Sequence, residues 1–264
     1  MERRFFMGDG VNLSYLDFGS QSDQILLALH GHFGTASMFG KLANAFPEWR
    51  IVALDQRGHG WSGHVHQEAY SRKKYLKDIR ILIEEELCGA SVVLLGHSLG
   101  GVNAYQFAAK HPSLVRALII EDIGAEINDD QSWVKGLPSK VPTIGELRQS
   151  LESLIGIGSF SYFEESVIEH PDGWSFRFDA TGIIRSQEML NGSWWGDWEA
   201  SSCPLLLMQG EKSSILSREH AQEMASRRMN VKLKQFPGCG HTIRSGDPIG
   251  YLNAIQNFLR ITFS

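Results

Sequence analysis

The stretch that decides the fold is Ser91-Val92-Val93-Leu94-Leu95-Gly96-His97-Ser98-Leu99-Gly100. Its first half is a continuous apolar run, which predicts a strand buried in a sheet. Its second half has the pattern G-x-S-x-G and leads into a helical-looking segment, residues 101–110. A sharp turn between a strand and a helix holds a serine hydroxyl clear of the sheet, and the glycines allow close backbone approach. Ser98 is therefore the candidate nucleophile.

Strands and helices alternate on both sides of this turn. Such alternation is typical of right-handed βαβ crossovers and of an α/β fold with a mostly parallel, doubly wound sheet. The predicted strands are residues 11–18, 24–29, 51–54, 91–95, 114–120, 204–208 and 231–236. The predicted helices between and after them are residues 37–45, 75–87, 101–110, 218–228 and 248–259.

The alternation lapses in the middle of the chain. Thr143 followed by Glu146 predicts a capping box that opens a helix over residues 144–155. Five of the seven tryptophans also lie in this region: Trp133, Trp174, Trp194, Trp195 and Trp198. We predict an α/β core of residues 1–124 and 199–264, interrupted by a helical cap, or lid, of residues 125–198.

Composition and charge exclude several classes of function. The 264 residues are 42% hydrophobic and 21% charged, which is ordinary for a globular protein. The net charge of −5 disfavours a nucleic-acid partner, and no apolar run is long enough to predict a membrane span. Cys88, Cys203 and Cys239 match neither a disulfide framework nor a zinc pattern. We expect a cytoplasmic monomer or homodimer that needs no metal or cofactor.

A serine hydroxyl needs a general base, and the chain offers ten histidines. His241 lies in a glycine-rich loop after the last predicted strand and is the candidate base. His97 lies inside the turn itself, where we expect its side chain to point away from that of the serine. His111 ends a helix, whereas His170 and His220 lie in segments that look helical and exposed.

An acyl-transfer site also needs backbone N–H groups for the developing oxyanion. The residue after the nucleophile, Leu99, is expected to supply one of them. The second is expected from His30-Gly31-His32-Phe33-Gly34, at the end of an early strand, with His32 as the donor and Phe33 as the alternative.

In these features the chain resembles the α/β-hydrolase superfamily, and in particular its capped serine esterases and lipases. His30-Gly31 resembles the oxyanion motif of that family, and Gly240-His241 resembles its histidine loop. Asp55-Gln56-Arg57-Gly58-His59-Gly60-Trp61-Ser62 is similar to a structural loop with the pattern D-x-R-G-x-G-x-S. With the nucleophile turn, four motifs thus occur in the order of the family. The resemblance implies the α/β-hydrolase fold, with a cap inserted after its sixth strand.

The chain departs from the family at the acid that orients the histidine. An aspartate is usual in a segment like G-E-x-D, but the corresponding residues here are Gly210-Glu211-Lys212-Ser213. Some small esterases and the haloalkane dehalogenases place the acid after the preceding core strand, which indicates Asp122. Glu211 is the alternative acid, and a chain without a working acid is a third reading. Successive strand side chains face opposite ways, so Glu121 is expected to point away from Asp122.

The resulting prediction is a serine hydrolase that cleaves a small or medium carboxylic ester, with Ser98 as nucleophile, His241 as base and Asp122 as orienting acid. A serine in the turn disfavours dehalogenases and epoxide hydrolases of this fold, which carry aspartate there. Thioester, lactone or carbon–carbon bond hydrolysis remain open, as does a ligand-binding or signalling module without turnover.

The predicted cap carries aromatic and basic side chains near the predicted site. The aromatic residues could wall an acyl pocket, but packing of the cap onto the core is the favoured reading for most of them. Besides the tryptophans, the aromatic residues of the predicted cap include Phe160, Phe163, Phe176 and Phe178. Lys135, Arg177 and Arg185 could meet an anionic substrate, although single charges in such a segment are usually solvated.

Overall fold

Eight strands form one central sheet in the computed structural model, which describes residues 1–263. In chain order, the first six are β1 (Glu2–Met7), β2 (Asn12–Asp17), β3 (Ile25–Leu29), β4 (Arg50–Asp55), β5 (Val92–His97) and β6 (Val115–Glu121). Four short strands follow, β7 (Glu126–Ile127), β8 (Val167–His170), β9 (Gly173–Phe176) and β10 (Gly192–Ser193), and they form two separate small pairs. The central sheet is completed by β11 (Leu205–Gly210) and β12 (Val231–Phe236).

The strand order in the sheet is β1-β2-β4-β3-β5-β6-β11-β12. Only the pairs β1/β2 and β2/β4 are antiparallel, so the prediction of a mostly parallel sheet is confirmed. The sequence analysis missed β1. This edge strand buries only Phe6 well, so its apolar pattern is too weak to predict a strand.

Ten α-helices connect and flank these strands in the described chain. They are α1 (Gly40–Ala45), α2 (Arg72–Ile81), α3 (Leu99–Lys110), α4 (Ile144–Ile155), α5 (Phe160–Phe163), α6 (Ala180–Leu190), α7 (Trp195–Glu199), α8 (Arg218–Ser226), α9 (Ile243–Gly246) and α10 (Pro248–Phe263). A π-helical turn, Leu82–Glu86, continues α2, and short 3₁₀ turns occupy Ala36–Phe39, Gln67–Tyr70, Pro112–Leu114, Ser132–Gly136 and Glu164–Ser166. None of the described helices combines the length and hydropathy needed to cross a membrane.

Apolar clusters cover both faces of the sheet. One contains Leu94, Leu118 and residues of α2 and α3, and the other contains Val93, Leu95 and residues of α10. Every residue of β5 is buried, because helices pack on both of its sides. This double burial is the reason that the strand before Ser98 is a continuous apolar run in the sequence.

Residues 125–198, called here the inserted segment, contain α4 to α7 and the two small strand pairs. The predicted N-terminal capping of helix α4 is confirmed, since the Thr143 hydroxyl accepts a hydrogen bond from the Glu146 amide at 3.2 Å. Two histidine expectations were wrong: His170 lies in β8 rather than in a helix, and both His170 and His220 are partly buried. The division into a core and a lid, with its boundaries, stays a prediction.

Phe160, Phe163 and Phe178 of the inserted segment pack into one apolar cluster that also contains Phe33, from the loop after β3. The ring centroids of Phe33 and Phe163 lie 5.1 Å apart, and those of Phe33 and Phe178 lie 5.2 Å apart. The aromatic side chains thus pack this segment against the loop after β3.

The loop Asp55–Ser62 holds the inserted segment through its backbone. Gly60 donates a hydrogen bond to the Arg177 carbonyl at 2.8 Å, and Asp179 donates one to the Gly58 carbonyl at 2.8 Å. The Tyr70 hydroxyl adds a third bond, 2.8 Å to the Asp179 carboxylate. This motif therefore has a structural task in the fold, apart from any chemistry.

Candidate active site

Ser98 sits in a strained turn between β5 and α3. Its φ of 52° and ψ of −121° are values that residues other than glycine rarely adopt. A β-carbon at Gly96 would collide with the carbonyl oxygen of Gly100, and one at Gly100 would collide with the carbonyl oxygen of Leu29. The two glycines are thus required for the turn, which presents the Ser98 side chain at the carboxyl ends of the parallel strands.

Asp122 directly follows β6 at the same edge of the sheet and is fully buried. Its Oδ2 accepts a hydrogen bond from His241 Nδ1 at 2.8 Å, and its Oδ1 accepts one from the Gly210 amide at 2.8 Å. The Ser213 hydroxyl also donates to Oδ2. Asp122 therefore contacts the candidate base although the two residues lie far apart in the sequence.

The other two carboxylates considered from the sequence have different partners. Glu121 points the opposite way and forms a buried ion pair with Arg244, at 3.0 Å. Glu211 accepts a hydrogen bond from the Gly238 amide at 2.8 Å. Among the described residues, the carboxylate in contact with the His241 ring is that of Asp122.

The contact with Asp122 defines which nitrogen of the His241 ring donates a hydrogen bond. A carboxylate can only accept, so Nδ1 carries the proton and Nε2 is left as the basic nitrogen. The buried ring of His97 packs against His241 with centroids 4.6 Å apart, and His97 Nε2 donates to the His241 carbonyl at 3.1 Å. Burial lowers the pKa of His97 well below its usual value, so this neighbour adds no charge.

Ser98 and His241 open onto the same cavity, which has a volume of about 180 Å³. Its walls come from the loop after β3, from β7 and α6 of the inserted segment, and from the loops after β6, β11 and β12. The lining residues are His32, Phe33, Ser98, Ile123, Ile127, Asp129, Gln131, Tyr162, Gln187, Leu190, Ile215, His241 and Thr242. The Ser98 hydroxyl and His241 are not hydrogen-bonded within residues 1–263, and such contacts are often long before substrate binds.

The loop His30–Gly34 lies close to the turn that carries Ser98. A β-carbon at Gly31 would lie 3.0 Å from the β-carbon of Ser98. The amides of His32 and Phe33 make no hydrogen bond in the described chain, which leaves both available as donors. The Tyr162 hydroxyl holds this loop by donating to the His32 carbonyl at 2.9 Å.

Sequence reasoning missed several residues of this site. Tyr162, Asp129, Gln131 and Gln187 line the cavity, but nothing in their spacing distinguishes them from other residues of the inserted segment. Of the phenylalanines considered from the sequence, Phe33 lines the cavity, while the four from the inserted segment do not. The favoured reading of those four as packing residues is in agreement with their places in the structure.

Two further points concern possible ligands of the site. Over the described residues, no three histidine, cysteine, aspartate or glutamate side chains are grouped so that they could hold a metal ion. Burial lowers the pKa of His32 well below its usual value, so its ring enters the cavity wall in neutral form.

Comparison with known protein families agrees with the observed fold. A family model described as the alpha/beta hydrolase fold matches residues 24–244. The chain belongs to this family. In this α/β hydrolase, the strained turn at Ser98, the loop that carries His241 and the loop after β3 line one cavity at the same edge of the sheet.

Relatives of this α/β hydrolase include several kinds of hydrolase. It is 25% identical to the sn-1-specific diacylglycerol lipase ABHD11 of Mus musculus over 250 residues, which are 89% of this chain and 80% of the relative. It is 26% identical to the 2-(acetamidomethylene)succinate hydrolase of Mesorhizobium japonicum over 251 residues, 90% of this chain and 88% of the relative. A crystal structure of E-2-(acetamidomethylene)succinate hydrolase superposes with a TM-score of 0.83 at 22% identity, covering 98% of this chain and 99% of that one. These relatives support a hydrolase and differ in the substrates that their names give.

Proposed function

We propose that the protein is a serine hydrolase that cleaves a small carboxylic ester through an acyl-enzyme. The observation that carries the proposal is the 2.8 Å hydrogen bond between His241 Nδ1 and Asp122, beside a cavity that Ser98 also lines. An orienting carboxylate, an imidazole with a free Nε2 and a serine in a strained turn are the groups that acyl transfer needs.

In the proposed reaction, His241 Nε2 takes the hydroxyl proton while Ser98 Oγ attacks the ester carbonyl. The Leu99 amide and the His32 amide, with Phe33 as the alternative to His32, stabilise the oxyanion. His241 then returns the proton to the leaving alcohol, and a water molecule repeats the sequence to release the acid. Asp122 holds Nδ1–H and stabilises the imidazolium that forms in each half of the reaction.

The size of the cavity supports a short acyl group. Pockets for drug-sized ligands usually span roughly 300–1,000 Å³, whereas this cavity has about 180 Å³. Thioesters and lactones of similar size place a carbonyl in the same position, so they belong in the substrate screen. The proposal further includes a cytoplasmic location and action as a monomer or homodimer, and the three unpaired cysteines suit a reducing compartment.

The proposal is tested by labelling and turnover together. The wild-type protein should react with a fluorophosphonate probe and hydrolyse p-nitrophenyl acetate and butyrate. Ser98→Ala should lose both activities, and Ser153→Ala, an exposed serine of α4, should keep both. Full activity in Ser98→Ala would show that the nucleophile is wrong. Absence of labelling at every pH, with a folded protein, would favour a binding module without turnover.

A further inference from the structure

The cavity beside Ser98 has both polar and apolar lining residues. The polar ones include Asp129, Gln131 and Gln187, and the apolar ones include Ile123, Leu190 and Ile215. Among the described residues that line the cavity, there is no lysine or arginine, and Asp129 is the one acidic residue.

The position of Asp129 is set by a hydrogen-bonded network. The side chain of Asn191 forms two hydrogen bonds with the Asp129 backbone. Asn191 Oδ1 accepts from the Asp129 amide at 3.1 Å, and Asn191 Nδ2 donates to the Asp129 carbonyl at 2.9 Å. Gln187 holds Asn191 in turn, through a bond of 2.7 Å from Nε2 to Oδ1. The backbone of Asp129 is therefore held in the cavity wall by the side chain of Asn191.

The partners of the Asp129 carboxylate are all neutral. Its Oδ2 accepts a hydrogen bond from Gln131 Nε2 at 2.6 Å, and its Oδ1 accepts one from the Asp130 amide at 2.8 Å. Gln131 is itself fixed, since its Oε1 accepts from the Trp133 indole at 2.8 Å. These contacts hold the carboxylate in place, and no described lysine or arginine forms an ion pair with it.

Basic side chains of the inserted segment lie elsewhere. Arg177 stacks on the Trp61 ring at 3.5 Å, and Arg185 pairs with Glu188 at 2.8 Å. Arg244, near His241 in the chain, is paired with the buried Glu121. None of the three lines the cavity, so none is placed to neutralise an anionic substrate there.

From this arrangement we infer that the site selects esters whose acyl group is uncharged and carries a hydrogen-bond donor, and that it rejects acyl groups with a carboxylate. The inference rests on the proposed ester hydrolysis at Ser98. A substrate carboxylate would approach Asp129 in a small, partly desolvated space, where repulsion between like charges is poorly screened. A substrate amide or hydroxyl would instead donate to the free lone pairs of Asp129. Discrimination thus comes from repulsion of the wrong substrate as well as from attraction of the right one.

Three methyl esters with acyl chains of equal length test this inference by pH-stat titration. Methyl butyrate ends in a methyl group, methyl succinamate in a neutral amide, and monomethyl succinate in a carboxylate. We expect kcat/KM for monomethyl succinate to be lower than for methyl succinamate by on the order of tenfold or more. Asp129→Asn should bring the two values together by raising the rate with the anion. Raised salt should narrow the ratio in the wild-type protein.

Asp130→Asn is the matched control, because Asp130 is adjacent, exposed and bonded to Ser132 rather than placed in the cavity. Its substrate ratio should equal that of the wild type. Equal rates with all three esters in the wild-type protein, or an unchanged ratio in Asp129→Asn, would overturn the inference while leaving the ester hydrolase intact. If no ester is hydrolysed and Ser98 takes up no fluorophosphonate, the proposed function fails and this inference fails with it.

Discussion

Ser213 stands where an acid is usual in this family, and its hydroxyl contacts Asp122, the candidate acid. It donates to Asp122 Oδ2, the same oxygen that accepts from His241 Nδ1. Its Oγ also accepts from the amides of Ile215 and Leu216, at 3.1 and 3.3 Å, which fixes the hydroxyl in place. Because both side chains meet at one carboxylate oxygen, position 213 lies within reach of the histidine.

A carboxylate introduced at position 213 should therefore be able to orient His241 in place of Asp122. Asp122→Asn presents an amide to Nδ1 and favours the wrong tautomer, so we expect kcat with p-nitrophenyl butyrate to fall by about 10⁴-fold. Adding Ser213→Asp to this variant should recover at least about tenfold of that loss. Glu211→Gln should stay near the wild-type rate. A double variant as slow as Asp122→Asn, or a crippled Glu211→Gln, would contradict this arrangement.

At the scale of elements, two adjacent carboxylates at the end of β6 bind two different parts of the chain. Asp122 contacts the histidine loop, while Glu121 receives the Arg244 amide at 3.1 Å and the Arg244 guanidinium at 3.0 Å. Both charges are nearly excluded from water, with 0% of the Glu121 side chain and 11% of the Arg244 side chain exposed. The pair thus fastens α9, and with it the loop that carries His241, onto the end of β6.

Removing one partner of this ion pair should leave a buried charge uncompensated. We expect Arg244→Met to lower the free energy of unfolding by about 3–5 kcal/mol, measured by urea denaturation. Replacing both partners, as Glu121→Gln with Arg244→Met, should recover most of that loss. The exposed pair Arg185–Glu188 is the control, and Arg185→Met should cost less than about 1 kcal/mol. If Arg244→Met and Arg185→Met lowered the free energy of unfolding by similar amounts, the burial of the Glu121–Arg244 pair would have no effect on the cost of removing one partner.

For the whole molecule, buried histidines link stability to pH. Burial lowers the pKa of His30 and of His59 to about 3, and both rings are inaccessible to solvent. His30 Nε2 accepts a hydrogen bond from the Gln56 amide at 3.0 Å, which requires the neutral ring. In the unfolded chain the same histidines take up protons near pH 6.5. The unfolded state therefore binds more protons than the folded state between about pH 6.5 and 3.

Stability should accordingly fall as the pH falls through this window. Each such histidine contributes a slope of up to ~1.4 kcal/mol per pH unit to the free energy of unfolding. His59→Gln should reduce the pH slope of the free energy of unfolding between pH 6 and 4 by the contribution of about one bound proton. His64→Gln, on the surface, should leave this slope unchanged. Urea denaturation at a series of pH values measures both. The carboxylate of Asp9, whose lysine partners lower its pKa from 3.8 to about 2, affects stability between these two values and so below the measured range from pH 6 to 4. An unchanged slope in His59→Gln would show that this histidine is already protonated in the native state.

Much of the fold and part of the candidate site could be predicted from local sequence patterns. The strands of the sheet centre were predictable because double burial demands continuous apolar runs, and α4 was predictable from its capping residues. Ser98 and His241 were predictable as candidates because a strained turn and a glycine-rich loop leave local signals. Edge strand β1 was not, because it buries too little apolar surface to leave a pattern.

The sequence by itself determined the turn at Ser98, the mostly parallel sheet and a short set of candidate acids. Only the tertiary structure decided which carboxylate meets His241, since Asp122 and Glu211 both lie near strand ends and local pattern does not distinguish them. It also decided that Asp129, and none of Lys135, Arg177 and Arg185, faces the cavity. The physical reason is the same in both cases. Local spacing governs how a segment buries its own apolar face, whereas contacts between distant segments depend on how the sheet edge and the inserted segment pack together.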